Sequence, residues 1–377
     1  MNRILLFARD PGGANTLIPL AEPLRGKGCH IALWGKGPAL HIFRTNGLCA
    51  NDIDAAVPDF SVQSLREFLI GISPRVILTG TSANDFTEKH LWKAAAQLSI
   101  PSLAIVDQWL NYGVRFSKYT MADMHRYQGG RVYDFLPSRI LVMDERSRRE
   151  AIKEELPAER LIVTGQPHFE RILKLKKGLI ETERDAHRDK LGIRPDDFTL
   201  LFVSEPIEEV YGLTGSEHSP LGYTAKSILA ALLQEVQHLQ KRCTRPLKIL
   251  IRLHPNENPD KHDGVLTKDD SQLPVAIDTT PHPTYALLAA DLVCGMSSML
   301  LLEAVIMKIP VLSIQIGLRR TNPFILDRLS PRSAITTHRA LARVLAKTLF
   351  GKHTQYTNFD CIQTPVANVI DAMEGMI

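Results

Sequence analysis

The run RILLFARDPGGANT at residues 3–16, followed by HIALWG at 30–35, restricts the fold more than any other feature of the chain. RILLFA is an almost uninterrupted apolar run of strand length. A Pro-Gly-Gly turn follows, then a helical pattern predicted from residue 17 to about 27, then the second apolar run. Strand, glycine turn, helix and strand in succession make a βαβ unit. Strands that are apolar without alternation need cover on both faces, which a parallel sheet between helices supplies.

The same rhythm recurs along the chain. RVILTG (75–80), PSLAIVD (101–107), RILVMD (139–144) and RLIVTG (160–165) are predicted strands, with TEKHLWKAAAQLS (87–99) a helix between the first two. The rhythm then stops. RILKLKKGLIETERDAHRDKLGIRPDD (171–197) is charged and helical without a strand. It resumes with FTLLFVS (198–204), PLKILIRLHP (246–255), PVAIDTT (274–280), DLVCG (291–295) and PVLSIQIG (310–317). The expected architecture is α/β, with two doubly wound Rossmann-like domains facing a central cleft. The expected division is 1–170, a linker at 171–196, a second domain at 197–360, and a helix at 361–377 that crosses back to the first domain.

Composition removes several classes. Apolar residues make up 44% and charged residues 23%, an ordinary globular balance. The formal net charge of +4 comes without a basic, aromatic-interleaved stripe, so nucleic acid is not an expected partner. Five cysteines at 29, 49, 243, 294 and 361 contain no C-x-x-C, which reads as free thiols in a reducing compartment. The apolar start breaks at Arg9, too early for a signal peptide, and no apolar run reaches the ~20 residues that cross a bilayer. A cytoplasmic protein is expected, with room for peripheral association at the inner membrane face through KLKKG (174–178) or residues 118–135.

Ligands of open parallel sheets bind beyond the carboxyl ends of the strands, so polar residues that follow strands are the candidates for chemistry. After the first strand stand Asp10, Gly12, Gly13 and Asn15, with Asn15 or Thr16 placed to cap the helix. The glycines do not have the dinucleotide spacing. DQWLNYGVRF (107–116) offers Asp107, Trp109, Asn111, Tyr112 and Arg115, two flat rings and several polar groups suited to a ring-shaped polar ligand. IRLHPNENP (251–259) brings Arg252 into His254-Pro255, and Pro255 restricts His254 to extended backbone. DLVCGMSSMLLLEAVIM (291–307) is a strand, a turn and a helix. Its Ser297 and Ser298 stand at the helix N-terminus, where exposed N–H groups and the helix dipole favour phosphate. Glu303 lies too far along for a capping box and is placed to reach a ribose diol. Capping by a serine is the plain structural alternative.

These segments resemble those of GT-B glycosyltransferases and related sugar-nucleotide enzymes. VCGMSSMLLLEAVIMKIPVLSIQ looks like their phosphate-binding strand–helix–strand. DKLGIRPDDFTLLFVS is similar to the opening of their second domain, and LIVTGQPHFE to the close of their first. RLHP with the later Ser-Ser is similar to motifs of bacterial CMP-sugar and CDP-glycerol transferases. That resemblance implies phosphate contacts for His254, Ser297 and Ser298. The acidic motif that supplies the base in many CMP-sialyltransferases is absent. The expected activity is a metal-independent sugar transfer from a CMP- or UDP-type donor to a saccharide or lipid-linked acceptor in surface-polysaccharide or glycolipid synthesis. No cofactor is required. Asp107, Asp10 and His168 are the expected general bases, in that order, and Glu205 an additional donor contact. The alternatives are a UDP-N-acetylglucosamine 2-epimerase or sugar-nucleotide hydrolase, although FVSEPIEEVYG lacks the epimerases' acidic and histidine signature, and a noncatalytic nucleotide-binding subunit.

Overall fold

The computed structural model describes residues 3–123, 133–178, 181–211, 213, 219–255, 257–263, 273–278, 280, 283–329, 334–351 and 364–376. The chain divides into two compact units, Met1–Arg171 with Asp360–Ile377, and Ile172–Phe359. Among the described residues no helix is long and apolar enough to cross a membrane. The 118–135 segment proposed for membrane contact lies partly outside the described residues, as do the side chains at 176–178 of the basic run.

Unit 1 is built on a seven-stranded parallel sheet. Its elements run β1 (Arg3–Ala8), α1 (Pro11–Gly26), β2 (His30–Gly35), α2 (Gly37–Thr45), β3 (Asn51–Asp52), α3 (Val62–Ile72), β4 (Val76–Thr79), α4 (Thr87–Gln97), β5 (Ser102–Ile105), β6 (Arg139–Val142), α5 (Glu145–Lys153), β7 (Leu161–Val163) and the start of α6 (Pro167–Gly178). The strand order is β3-β2-β1-β4-β5-β6-β7. The apolar runs face both ways, as their lack of alternation requires. Leu5 and Phe7 enter one core with Trp92 and Leu65, while Ile4 and Leu6 enter the other with Leu17 and Phe43.

Helix α1 starts six residues earlier than the sequence pattern suggests. Proline at the first helical position costs no hydrogen bond and presets the backbone dihedral, so the turn residues Pro11, Gly12 and Gly13 are already helical. Asp10 is the extended N-cap residue, without a side-chain cap bond. Asn15 and Thr16 therefore lie inside the helix and cap nothing, and the Thr16 hydroxyl donates back to the Gly12 carbonyl at 2.8 Å.

Unit 2 carries a five-stranded parallel sheet of order β10-β9-β8-β11-β12. It follows α7 (Glu181–Lys190) with β8 (Phe198–Val203), α8 (Ile207–Tyr211), α9 (Ala225–Gln240), β9 (Leu247–Arg252), β10 (Val275–Ile277), α10 (Pro283–Ala289), β11 (Leu292–Gly295), α11 (Met299–Ile306), β12 (Val311–Ser313), α12 (Ile325–Leu329) and α13 (His338–Phe350). In the charged span after residue 171, residues 171–178 and 181–190 are helical, and α7 is fastened into unit 2. Buried Arg188 donates to the carbonyls of Ala289, Arg194 and Asp197. Asp291 accepts from Arg184 at 2.8 Å, Arg188 at 3.3 Å and the Thr199 N–H at 2.9 Å. Helix α14 (Pro365–Glu374) belongs to unit 1. Its Val366, Val369, Ile370 and Met373 enter the core that holds Leu17, Leu20 and Leu24, and Lys27 pairs with Glu374 at 2.8 Å.

In both sheets the strand order reverses once beside the first strand of the unit. The reversal falls between β1 and β4 in unit 1 and between β8 and β11 in unit 2. Connections leave such a point in opposite directions and open a crevice at the carboxyl edge, which is where doubly wound folds take ligands.

Candidate functional site

At the unit 1 reversal, α1 begins close to the loop after β4. A Cβ on Gly12 would run into the Asp107 carboxylate, and one on Gly13 would stand a tight 3.1 Å from the Gly80 Cα. Asp107, just beyond β5, is 6% exposed and pairs with buried Arg115 at 3.0 Å. The same guanidinium nitrogen donates to the carbonyl and hydroxyl of Thr81 at 2.6 and 2.8 Å. Burial raises the Asp107 carboxyl above the ordinary range, Arg115 pulls it back, and the charge of Asp10 raises it again. Asp10 in turn accepts from Arg9 at 2.6 Å.

A third carboxylate, missed in the sequence, completes this edge. Glu88 in the first turn of α4 is 1% exposed and accepts from the backbone N–H groups of Arg9 and Ser82. Burial, with Asp10 adding to it, pushes its carboxyl up to about 8. Its neighbour Lys89 is buried and lowered to about 8 by desolvation. The Lys89 ammonium holds the loop after β5 by donating to the carbonyls of Val114, Ser117 and Tyr119 at 3.2, 2.8 and 3.3 Å. Both residues sit in a run that reads as an ordinary solvated helix. The available signal was position, since a carboxylate in a first turn after a strand falls on the carboxyl edge.

Glu88 gives a pH expectation with a definite sign. An acid whose folded value is raised contributes stability below its unfolded value, here 4.5, and that stability is lost as pH rises through about 8. Lys89, depressed from 10.5, works in the opposite direction only above that window. The unfolding free energy of the wild type relative to Glu88→Gln, from urea denaturation, should therefore fall from pH 5 to pH 8, by up to about 1.4 kcal/mol per pH unit at the steepest. Parallel profiles for the two proteins would refute a buried, ionising Glu88.

Other expected residues of unit 1 have structural partners. Trp109 is buried, stacks on Phe169 with centroids 6.1 Å apart, and donates from its indole to Asp144 at 2.7 Å. Tyr112 is buried too, its hydroxyl 3.4 Å from Glu150. Neither presents an open ring face, because each aromatic body fills core while its polar atom finds a carboxylate on α5 or its cap. Asn111 is half-buried and left-handed, with φ of 58°. His168 is buried at the start of α6.

The unit 2 reversal brings together residues from the ends of β8 and β11. Glu205 accepts from the Ser297 N–H at 2.5 Å, the Ser297 hydroxyl at 2.7 Å and the Ser298 N–H at 2.8 Å. Burial raises its carboxyl, and the serine hydrogen bonds pull it down. Ser298 caps α11, its hydroxyl oxygen accepting from the Leu300 N–H at 3.2 Å. The capping role and the anion-holding role thus coexist in one turn. Glu303 is buried within α11. The carbonyl of Met296, which opens the turn, accepts from the Ser313 hydroxyl at 2.7 Å and from Gln315 at 3.3 Å.

Arg252 does not bring a free charge to this edge. Its guanidinium donates to Asp278 at 2.8 Å and to the carbonyl of Thr280 at 2.5 Å, tying β9 to the end of β10. His254 is half-buried and Pro255 exposed, and the His254 N–H donates to Glu257 at 2.7 Å. Below them lies a set the sequence did not suggest. The Ser204 hydroxyl donates to Glu257 at 2.7 Å and stands 2.9 Å from the His262 Nε2. Lys261 pairs with Glu257, Glu208 and Glu209 at 2.6, 2.7 and 3.0 Å. This is not a nucleophilic triad, because all of Ser204, Glu257 and His262 are buried and the carboxylate meets the serine instead of orienting the imidazole. Among the described residues no cluster of three or more His, Cys, Asp or Glu side chains is placed to hold a metal ion.

Two Rossmann-like units with these sheets make a GT-B-type fold. Solved structures sharing it over the whole chain include S. aureus MnaA in a co-structure with UDP, at TM-score 0.67 and 14% identity over 100% of this chain and 98% of that one. UDP-GlcNAc 2-epimerase from Neisseria meningitidis bound to UDP-GlcNAc matches at TM-score 0.65 and 14% identity, covering 99% and 100%. MurG of Acinetobacter baumannii matches at 0.52 and 12%, covering 100% of both chains. No protein-family model matches the chain, and no curated protein matches it significantly by sequence. At these identities the likeness is one of fold.

Proposed function

We propose that the chain is an enzyme acting on a UDP-sugar, with epimerisation beside the anomeric carbon as its chemistry. The turn at residues 296–298 takes the nucleotide phosphate through N–H groups, hydroxyls and the α11 dipole, and Glu303 serves the ribose. The observation that carries the reading is the set of three carboxylates at the unit 1 reversal, Asp10, Glu88 and Asp107, with Asp10 raising both of the others. Inversion at C2 needs a base to take the C2 proton as the nucleotide diphosphate leaves C1, and an acid to return a proton to the other face of C2 as the diphosphate adds back to C1. A group of neighbouring carboxyls can supply both of those tasks. Asp107 is the base, as the residue beside a fixed guanidinium. The expected sugar transfer, which needs one base only, is less well supported than the epimerase alternative. The UDP-GlcNAc 2-epimerases among the similar folds favour the same choice.

The test is proton NMR of UDP-GlcNAc with the enzyme in D2O and no acceptor. Loss of the C2 proton signal and growth of a second sugar nucleotide are expected. A transferase remains the second reading, favoured by the full-length likeness to MurG and to a Rickettsia africae glycosyltransferase. It takes over if UDP-GlcNAc, CMP or CDP raises the melting temperature while C2 exchange never appears. Absence of any melting shift with these nucleotides, in folded protein, would remove the nucleotide site altogether.

A further inference from the structure

The donors assigned to the nucleotide phosphate are already engaged. Ser297 and Ser298 direct two N–H groups and one hydroxyl onto the two oxygens of Glu205. This carboxylate is not needed as the helix cap, because the Ser298 hydroxyl already meets the Leu300 N–H. Nor is it an ion-pair partner. Among the described residues no Lys, Arg or His comes within ion-pair distance of it. Lys261 donates to the Glu205 backbone carbonyl at 3.0 Å, and its ion pairs are with Glu208, Glu209 and Glu257. A half-buried anion is thus held by neutral donors alone, at the reversal between β8 and β11.

From this geometry we infer that Glu205 is a built-in competitor for the phosphate turn, and that ligand binding requires its carboxylate to leave. The inference rests on the phosphate reading of that turn. Two anions cannot share one pair of N–H donors: the oxygens would overlap, and like charges in a partly buried site repel. The donors of the turn meet an oxyanion before and after exchange, so their N–H groups remain satisfied in both states. Competition of this kind sets a threshold. A ligand with a strongly charged diphosphate displaces the carboxylate, whereas a neutral sugar gains nothing at the turn.

Calorimetric titration of the full chain with UDP, on wild type and Glu205→Gln, tests this. The amide keeps the shape and one acceptor but loses the charge. UDP should bind Glu205→Gln about tenfold more tightly, equivalent to about 1.4 kcal/mol. If that variant does not fold, Glu205→Asp is titrated instead. Its shorter arm keeps the charge but cannot reach both serines, and tighter binding is again expected. Equal or weaker affinity in a folded variant overturns the inference and leaves the nucleotide site standing. UDP binding to neither protein overturns the nucleotide site and the inference with it.

Discussion

Asp107→Asn is expected to lower turnover of the sugar nucleotide by roughly 10²- to 10⁴-fold, the usual worth of a positioned general base. UDP affinity should stay within about twofold, since the phosphate donors belong to unit 2. The substitution is nearly isosteric. Its amide oxygen can still accept from Arg115, and Arg115 keeps its bonds to Thr81. What disappears is the ability to take a proton. Because burial raises this carboxyl, the acidic limb of the wild-type rate profile should rise at a pH above the ordinary carboxylate range. Steady-state rates with UDP-GlcNAc decide the matter: a variant within tenfold of wild type at every pH would rule Asp107 out as the base.

Arg115→Met should cost about 3–5 kcal/mol of folding stability, read as a lower urea midpoint at unchanged slope. The methionine fills most of the volume but abandons a buried carboxylate and the Thr81 carbonyl together. Pairing it with Asp107→Asn should recover a large part of the loss, because the charge left behind is then gone. The deficit should also shrink toward acid. An Asp107 raised further without its partner stabilises the fold below its unfolded value and withdraws that stability as pH rises. A single-variant loss below about 1 kcal/mol would show that the pair is dispensable to folding.

The fold was legible because buried parallel strands have no polar face to hide. RILLFA, FTLLFV and LKILIR could be read directly, as could the helices that separate them. The strand orders, and with them the two reversals, lie in tertiary pairings such as β1 with β4 that no local pattern encodes. The same limit explains the residues read too generously. Trp109 looked like a ligand platform until its indole met Asp144, 35 positions away, and Arg252 looked like free charge until it met Asp278, 26 positions away. Glu205 and Ser297 were each singled out, but their union spans 92 positions. Glu88 was overlooked for the converse reason, since a helical pattern disguises a carboxylate that the sheet edge has buried.

Helix α14 has a consequence for how the molecule is made. Unit 1 receives four of its core side chains, Val366, Val369, Ile370 and Met373, from chain that follows the whole of unit 2. Synthesis at about 5–20 residues per second puts tens of seconds between the two contributions. Until then α1 lacks the four side chains that cover it in the finished unit, although every residue of unit 2 has already been made. The core of the earlier unit is therefore completed only after the later unit has been synthesised in full.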